Sequence, residues 1–270
     1  MRGHKEFMLK NLITQRSLIL ALAKNDFRKK FAGSYLGIVW ALVQPIVTVL
    51  VYWFVFQVGL RQTAQVGGVP FILWMLAGLV PWFYFNDALQ GGTGALVEYS
   101  YLVKKVVFRI EILPMVKAVS ALYVHTFFVV ITYILYCLYG KFPGWYTFQI
   151  FYYSGCMFLL VLGLSYATGA IAVLFRDMVQ MVTIILQIGV WATPIMWDLN
   201  SIGLPKWLVY VFKMNPMYYI IYGYRDTFIF RKGFWEHPLL TLYFWVFLVL
   251  CWWWGTKTFR RSRPHFADVL

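Results

Sequence analysis

The ionisable side chains inside apolar stretches are the first candidates for chemistry in this chain. His125 lies in the apolar run 112–139, and Asp87 follows Asn86 near the end of the run 71–90. Groups in such places relay protons or bind ions in membrane transporters. For His125 we favour a hydrogen bond between helices, and for Asp87 a helix end at the membrane interface. Because such groups are few, we expect a protein that is not driven by protons or sodium ions.

Catalytic and metal-binding motifs are absent from the sequence. It has no GxxxxGK[ST] phosphate loop, so we expect no ATP hydrolysis by this chain, and it has no HExxH or GxSxG. The histidines are far apart and lack ligand spacing: His4, His125, His237 and His265. The cysteines lie in apolar stretches without CxxC spacing: Cys137, Cys156 and Cys251. The sequence therefore predicts no catalytic residue, no metal site and no cofactor in this chain.

A polar segment between two apolar runs, residues 91–109, is a candidate for contact with another protein. It begins with Gly-Gly-Thr-Gly and contains a short amphipathic patch: Glu98, Tyr99, Tyr101, Lys104 and Lys105. A helix with these side chains can dock into a groove on a cytoplasmic partner, with the tyrosines as anchors and the charges fixing the register. A solvated loop whose lysines enforce membrane topology explains the charges equally well.

A basic amphipathic stretch precedes the first apolar run. Its apolar residues recur at helical spacing in a narrow stripe: Leu20, Ala23, Phe27 and Phe31. The charged residues Asp26, Arg28 and Lys29 point away from that stripe. This pattern favours a helix that lies in the membrane surface, with its lysines at the headgroups, over a plain cytoplasmic lead-in helix.

Aromatic residues crowd a broken segment, residues 198–236. Lys213 and Asn215-Pro216 interrupt the stretch 207–223, so we expect short helices that re-enter the membrane rather than a span. The rings of this segment are those of Trp207, Tyr210, Phe212, Tyr218, Tyr219, Tyr222 and Tyr224. Flat rings stack on sugar faces, although an aromatic belt at the headgroups accounts for most of them.

Helices in a lipid bilayer must position all these groups. The chain is 61% hydrophobic and 13% charged, with a mean hydropathy of +0.68, whereas a soluble domain carries about a quarter charged residues. Apolar runs long enough to span lie near residues 35–58, 71–90, 112–139, 148–175, 178–197 and 239–256. The first, without a formal charge, reaches roughly 36 Å and exceeds the ~30 Å hydrocarbon layer. We therefore predict an all-α integral membrane protein with six transmembrane helices.

Positive charge predicts the orientation of these spans. The net charge of +14 is distributed over the ends of the apolar runs rather than in a compact basic domain, so we expect no nucleic-acid partner. Roughly two thirds of the Lys and Arg residues lie on the side of the two termini, which the positive-inside rule assigns to the cytoplasm. We divide the chain into a cytoplasmic N-terminus with an interfacial helix (1–34), one transmembrane domain (35–256) and a basic cytoplasmic tail (257–270).

Several motifs are similar to those of a known family. They are GSYLGIVWALVQPI (33–46), VYWFVFQVGLR (51–61), FRDM (175–178), TPIMW (193–197) and Asn215-Pro216-Met217. With the basic helix before them, they resemble the membrane subunit of bacterial ABC exporters of lipid-linked polysaccharides along essentially the whole chain. Within that family, VYWFVFQVGLR and VPFILWMLAGLVPWFYF are most similar to the wall teichoic acid exporter permease. Phe31 departs from the pattern, since many relatives have tyrosine there.

The resemblance implies a homodimer of this chain with two copies of a separate ATPase that binds ATP and Mg. It implies that the patch around Glu98 and Lys105 is a coupling helix docking into that ATPase, together with the interfacial helix. The residues of the interfacial helix are Asp26, Phe27, Arg28, Lys29 and Lys30. The substrate would be a polymer on an undecaprenyl pyrophosphate carrier, moved across the bacterial cytoplasmic membrane.

A passage for such a polymer must be polar or aromatic, because desolvating even one ion is expensive. Our candidate lining residues are Gln44, Tyr52, Trp74, Trp82, Tyr84, Trp191, Trp197 and Tyr218. The leading hypothesis is the membrane half of an ATP-driven flippase for lipid-linked wall teichoic acid, and the alternative is export of an O-antigen or capsule. A membrane enzyme acting on lipid carriers would need a polar catalytic cluster, and we find none in the sequence. A proton-coupled carrier is disfavoured because buried carboxylates are scarce.

Overall fold

The computed structural model describes residues 15–33, 35–59, 68–103, 109–199 and 203–269, and the regular elements of these ranges are helices. The longer helices, labelled in chain order, are α1 (Arg16–Lys30), α2 (Trp40–Trp53), α3 (Phe71–Glu98), α4 (Leu113–Leu138), α5 (Gln149–Leu174), α6 (Met178–Ala192), α7 (Lys206–Lys213), α8 (Pro216–Arg225) and α9 (Pro238–Ser262). The prediction of an all-α protein is confirmed.

Five helical stretches among the described residues are long and apolar enough to cross a membrane. They are Gly37–Gly59, Phe71–Glu98, Ile110–Leu138, Gly144–Leu174 and Pro238–His265, and each matches a predicted span. The remaining predicted span, 178–197, contains only the 15-residue helix α6, which reaches about 22 Å of the ~30 Å hydrocarbon layer. The count of six spans, and the orientation inferred from it, therefore stay predictions.

α3 and α5 form the centre of the helix bundle. In their most apolar stretches, 78% of the α3 residues and 72% of the α5 residues are buried. α4 packs along α3 and α9 along α5, so the main layer runs α4–α3–α5–α9. α8 crosses both central helices, and α1 lies against α4. A helix that is apolar on all sides belongs at such a central position.

Small residues allow α3 and α5 to approach closely. A Cβ added to Gly92 would lie 2.2 Å from the Oγ of Ser165, and the hydroxyls of Thr93 and Thr168 are 2.7 Å apart. Close backbone contact and interhelical hydrogen bonds of this kind drive helix association in lipid. The Gly-Gly-Thr-Gly run, predicted to begin a cytoplasmic segment, lies inside α3, and its Gly92 and Thr93 face α5.

Gly255→Ala, at the contact of α9 with α5, is expected to destabilise the protein by about 1–3 kcal/mol through overpacking. A Cβ at Gly255 would lie 2.2 Å from the carbonyl oxygen of Gly163, a backbone atom that cannot move without separating the two helices. Gly94→Ala is the matched control, since a Cβ there meets no atom within 4 Å, and alanine favours a helix over glycine by up to about 1 kcal/mol. Thermal unfolding of the purified chain checks this, and equal melting temperatures for the two variants would contradict it.

α1 is present as predicted, and its buried face includes part of the predicted stripe. Ile19, Ala23 and Asp26 face the protein, whereas Leu20 of the predicted stripe is 54% exposed. Asp26 was predicted to point away from the apolar side; it lies inside because it pairs with Lys117 of α4. The position of α1 in the membrane surface remains a prediction.

The broken segment after α6 forms two short helices, α7 and α8, as the interruption predicted. Asn215 starts α8: its side-chain oxygen accepts a hydrogen bond from the Met217 amide at 3.0 Å, and its Nδ2 donates to Thr193 Oγ1 at 2.8 Å. This N-cap satisfies an amide that the helix leaves unpaired. Re-entry of α7 and α8 into the membrane remains a prediction.

α2 and α6 make little contact with the rest of the chain. Only 11% of the most apolar stretch of Gly37–Gly59 is buried. The exposed apolar residues of α6 are Met181, Ile184, Ile185, Ile188 and Trp191. Apolar faces of this size meet lipid or another protein chain.

Candidate functional site

A cavity of about 360 Å³ lies between α2, α3, α4 and α6, and the C-terminal end of α1 closes one side of it. Its polar, uncharged lining residues are Gln44, Thr48, Asn86, Gln90, Thr183 and Gln187. Its aromatic lining includes Trp40, Tyr52, Trp82, Phe83, Tyr84 and Phe128. Amides, hydroxyls and rings thus converge in a bundle that is otherwise apolar, and such convergence marks a binding site or pathway.

The cavity runs along α2. Trp40 and Tyr52 both line it, and their separation on the helix corresponds to about 18 Å. Near Trp40, an ion pair between Lys30 of α1 and Asp87 of α3 lies at the edge of the cavity. α3 continues beyond Asp87 to Glu98. The prediction that Asp87 lies at the membrane interface stays a prediction.

Four of the predicted pathway residues line this cavity and four do not. Gln44, Tyr52, Trp82 and Tyr84 contribute to its wall. Trp191 is 54% exposed on α6, with its ring 6.2 Å from that of Tyr52. The Nε1 of Trp197 donates to the Trp191 carbonyl at 3.0 Å, which places both residues beyond the end of the cavity near Tyr52.

Trp74 and Tyr218, the other two predicted pathway residues, lie in the protein core. Tyr218 is 3% exposed and stacks on Tyr222 at 4.2 Å. Trp74 is 2% exposed and packs against the guanidinium of Arg225 at 3.6 Å. Burial on this scale suits a structural role rather than contact with a translocated molecule.

Arg225 is a buried cation that was not among the candidate residues from the sequence. Its side chain is 1% exposed. Its two terminal nitrogens donate to the carbonyls of Pro194 at 2.8 Å and Ile195 at 2.7 Å. The guanidinium thereby fixes the TPIMW segment after α6 onto α8, while Trp74 of α3 supports its flat face.

His125 is hydrogen-bonded between helices, in agreement with the favoured interpretation. Its Nε2 lies 3.0 Å from the hydroxyl of Tyr224 in α8 and 3.2 Å from Ser154 Oγ in α5. Ser154 and Tyr224 are themselves 2.7 Å apart. The histidine therefore joins α4, α5 and α8 at the wall of the cavity.

The ammonium of Lys117 in α4 binds side chains of α1 and of the end of α3. We call the group formed by Asp26, Glu98, Tyr99 and Lys117 the polar junction. Lys117 Nζ lies 2.7 Å from Asp26 Oδ1 of α1 and 2.7 Å from Glu98 Oε2 at the end of α3. The hydroxyl of Tyr99 donates to Asp26 Oδ1 at 2.7 Å. Asp26, Glu98 and Tyr99 were candidate residues from the sequence. Lys117, which joins them, was not.

The polar junction is largely shielded from solvent. The side chains of Lys117 and Asp26 are 12% and 6% exposed, whereas Glu98 is 58% exposed. Burial raises the pKa of the Tyr99 hydroxyl, and its hydrogen bond to Asp26 acts in the same direction, so the hydroxyl stays protonated and donates. Paired charges therefore join α1 and the end of α3 to α4.

The predicted coupling patch begins within this junction, at Glu98 and Tyr99, and continues beyond it. Tyr99 is buried, whereas Tyr101 in the short helix Ser100–Val103 is 54% exposed, with its ring 6.1 Å from that of Tyr99. Tyr101 is thus free to contact a partner, and Tyr99 is not. Lys104 and Lys105, also predicted for docking, lie outside the described residues.

The remaining residues predicted for the interfacial helix take different roles in α1. Arg28 and Lys29 are exposed, Lys30 pairs with Asp87, and the ring of Phe27 lies 5.5 Å from that of Tyr123 in α4.

In the described part of the chain, no group of three or more His, Cys, Asp or Glu residues is placed to hold a metal ion.

Comparison with known proteins agrees with this architecture. The family model described as ABC-2 type transporter matches residues 17–229. The chain is 27% identical to the O-antigen export system permease protein RfbA of Myxococcus xanthus, over 97% of this chain and 99% of the relative. It is 21% identical to a protein of the same name from Klebsiella pneumoniae, over 94% and 95%.

A further relative is the polysialic acid transport protein KpsM of Escherichia coli, 22% identical over 79% of this chain and 81% of the relative. The matched family segment includes α1, the cavity-lining helices α2, α3, α4 and α6, and the helix α8 that carries Arg225. The chain therefore belongs to the ABC-2 type transporter family, whose members are membrane subunits of transporters.

Proposed function

We propose that this chain is the membrane subunit of an ATP-driven exporter of a lipid-linked polysaccharide, and that the polymer passes along the cavity beside α2. The lining of that cavity carries the proposal. Side-chain amides and hydroxyls, such as Gln44, Thr183 and Gln187, surround a space within an apolar bundle. Such groups exchange hydrogen bonds with sugar hydroxyls, and aromatic rings stack on sugar faces, so a hydrophilic chain avoids the cost of entering hydrocarbon.

The relatives favour an O-antigen or a capsule polymer as the substrate. Their names assign O-antigen export to RfbA and polysialic acid transport to KpsM. Wall teichoic acid, our leading hypothesis from the sequence, has the similarity of VYWFVFQVGLR (51–61) in its favour. We accordingly propose an O-antigen-like polymer on an undecaprenyl pyrophosphate carrier, with wall teichoic acid as the second candidate.

We further propose a homodimer in the bacterial cytoplasmic membrane, with both termini in the cytoplasm. The exposed apolar faces of α2 and α6 border the cavity, so pairing of two copies through these faces would enclose a passage between them. Close van der Waals packing of the two faces would stabilise the pair, because lipid supplies no hydrophobic driving force for helix association.

Energy for transport would come from two copies of a separate ATPase that binds ATP and Mg. The exposed Tyr101 is our candidate anchor for that subunit, because exposed aromatic residues commonly anchor interfaces. ATP binding would move the end of α3, and the polar junction would pass this movement to α1 and α4. The experiment that tests the function is ATPase activity and polymer flipping by the reconstituted complex with defined lipid-linked O-antigen and teichoic acid. An ATPase indifferent to every lipid-linked polymer would overturn the proposal.

Gln44→Leu combined with Gln187→Leu is expected to slow polymer flipping by roughly 5- to 100-fold, because each variant removes a hydrogen-bonding group worth about 0.5–1.5 kcal/mol from the cavity wall. Assembly with the ATPase should be unchanged. Gln180→Leu is the control, since Gln180 is an exposed residue of the same helix as Gln187 and does not line the cavity. Equal flipping by the double variant and the control would contradict the assigned pathway.

A further inference from the structure

A second cavity, of about 520 Å³, opens between α1, the beginning of α2, and α4. We call it the basic groove. Ala41 of α2 and Val124 of α4 line both this groove and the cavity of about 360 Å³ beside α2, which we call the polar cavity, so these two side chains lie between the two spaces. The groove is therefore distinct from the proposed pathway.

The floor of the basic groove is apolar. Phe27 of α1 and Tyr123 of α4 form one side of it, with ring centroids 5.5 Å apart. Leu42 and Phe127 continue this surface, and Phe127 is 39% exposed. The amides that line the polar cavity have no counterpart among the residues of the groove. Such a floor suits a hydrocarbon chain and offers a sugar polymer few hydrogen bonds.

Two cations stand at the rim of the groove. Lys24 and Arg28 are four residues apart in α1, on one face of the helix, and both are exposed. Among the described residues no carboxylate forms an ion pair with either of them. Asp26, between them in sequence, points to the opposite side and pairs with Lys117. This face of α1 therefore presents two exposed positive charges to which an anionic group would be attracted.

We propose that the basic groove binds an anionic phospholipid of the bilayer, with its phosphate between Lys24 and Arg28 and an acyl chain across Phe27 and Phe127. Basic pockets between membrane helices recognise anionic headgroups in this way. The shape of the site matches the two parts of the ligand, a charged head and an apolar tail. The bound lipid would fill the space between α2 and α4 and hold the weakly packed α2 against the wall of the polar cavity.

The test is native mass spectrometry of the purified full-length chain, delipidated and titrated with phosphatidylglycerol or with zwitterionic phosphatidylethanolamine. We expect the chain to prefer phosphatidylglycerol. Lys24→Gln with Arg28→Gln should weaken its binding by about fivefold for each charge removed. Arg16→Gln with Lys29→Gln is the matched control: it removes two exposed cations of the same helix that do not line the groove, and it should bind phosphatidylglycerol as the unchanged chain does.

A second variant tests the apolar part independently of charge. Leu42→Trp places a larger side chain in the groove, and we expect it to lower the occupancy by phosphatidylglycerol while the chain keeps its melting temperature. Equal losses in the test and control charge variants, or equal binding of the two phospholipids, would overturn the proposal. Preferential displacement of phosphatidylglycerol by undecaprenyl pyrophosphate would also overturn it and assign the groove to the carrier. None of these results depends on whether the exported polymer is a polysaccharide.

Discussion

Lys117→Met is expected to lower the free energy of unfolding by roughly 3–5 kcal/mol, since removal of one partner leaves a buried charge uncompensated. Asp26 is the charge in question: its side chain is 6% exposed, and Lys117 Nζ lies 2.7 Å from its Oδ1. The remaining hydrogen bond from Tyr99 to Asp26 does not replace a cation. Urea or thermal unfolding of the purified chain, compared with the unchanged protein, measures this loss.

Two further variants test whether the loss of stability in Lys117→Met comes from a buried unpaired charge or simply from the loss of an ion pair. Lys30→Met breaks the pair with Asp87, whose side chains are 47% and 41% exposed, and exposed pairs contribute only about 0–1 kcal/mol. Asp26→Leu combined with Lys117→Met removes both buried charges and should recover most of the stability. A loss in Lys117→Met no larger than that in Lys30→Met would contradict the buried junction.

The same double variant also tests coupling. With apolar residues in place of Asp26 and Lys117, α1 and α4 still pack, but Glu98 at the end of α3 loses its cation. We expect a folded chain that assembles with its ATPase, in a complex whose ATPase hydrolyses ATP without flipping of the polymer. Tight coupling in the stabilised double variant would show that the junction serves stability alone.

Local signals in the sequence were enough to predict most of the helices. The uncharged run 35–58 predicts a span because its length exceeds the hydrocarbon layer, and the observed stretch is Gly37–Gly59. The break at Asn215-Pro216 predicts the division between α7 and α8, because asparagine caps a helix and proline suits its first turn. In both cases the residues that decide the structure are neighbours in the chain.

Contacts between distant residues were not predictable in this way. Gly-Gly-Thr-Gly is typical of a turn, and only the approach of Ser165 explains why Gly92 lies in a helix. Lys117 and Asp26 are charged residues of separate helices, so no local pattern indicates that they pair. The cavity was partly predictable, because polar and aromatic residues such as Gln44 and Tyr52 are conspicuous in an apolar run. Which of the other aromatics face it depends on helix rotation.

Arg225→Met is expected to lower the free energy of unfolding by about 3–6 kcal/mol, because two hydrogen bonds from a charged donor, each worth about 1.5–3 kcal/mol, are lost. The carbonyls of Pro194 and Ile195 would be left without these donors in the interior, where Arg225 is now 1% exposed. Hydrogen exchange of residues 193–197 should quicken more than that of the central helix α5, since this segment is the one that Arg225 holds.

Arg225→Lys tests whether charge alone explains the effect. An ammonium is a compact point charge that does not reproduce the fork of a guanidinium or its flat stacking on Trp74. We therefore expect lysine to recover only part of the stability lost in Arg225→Met. Arg231→Met is the control, since the exposed Arg231 donates to the Phe142 carbonyl, and its loss should cost less than about 1 kcal/mol. If Arg225→Met matched this control in stability and in exchange at residues 193–197, α8 would not depend on Arg225 to fix the segment after α6.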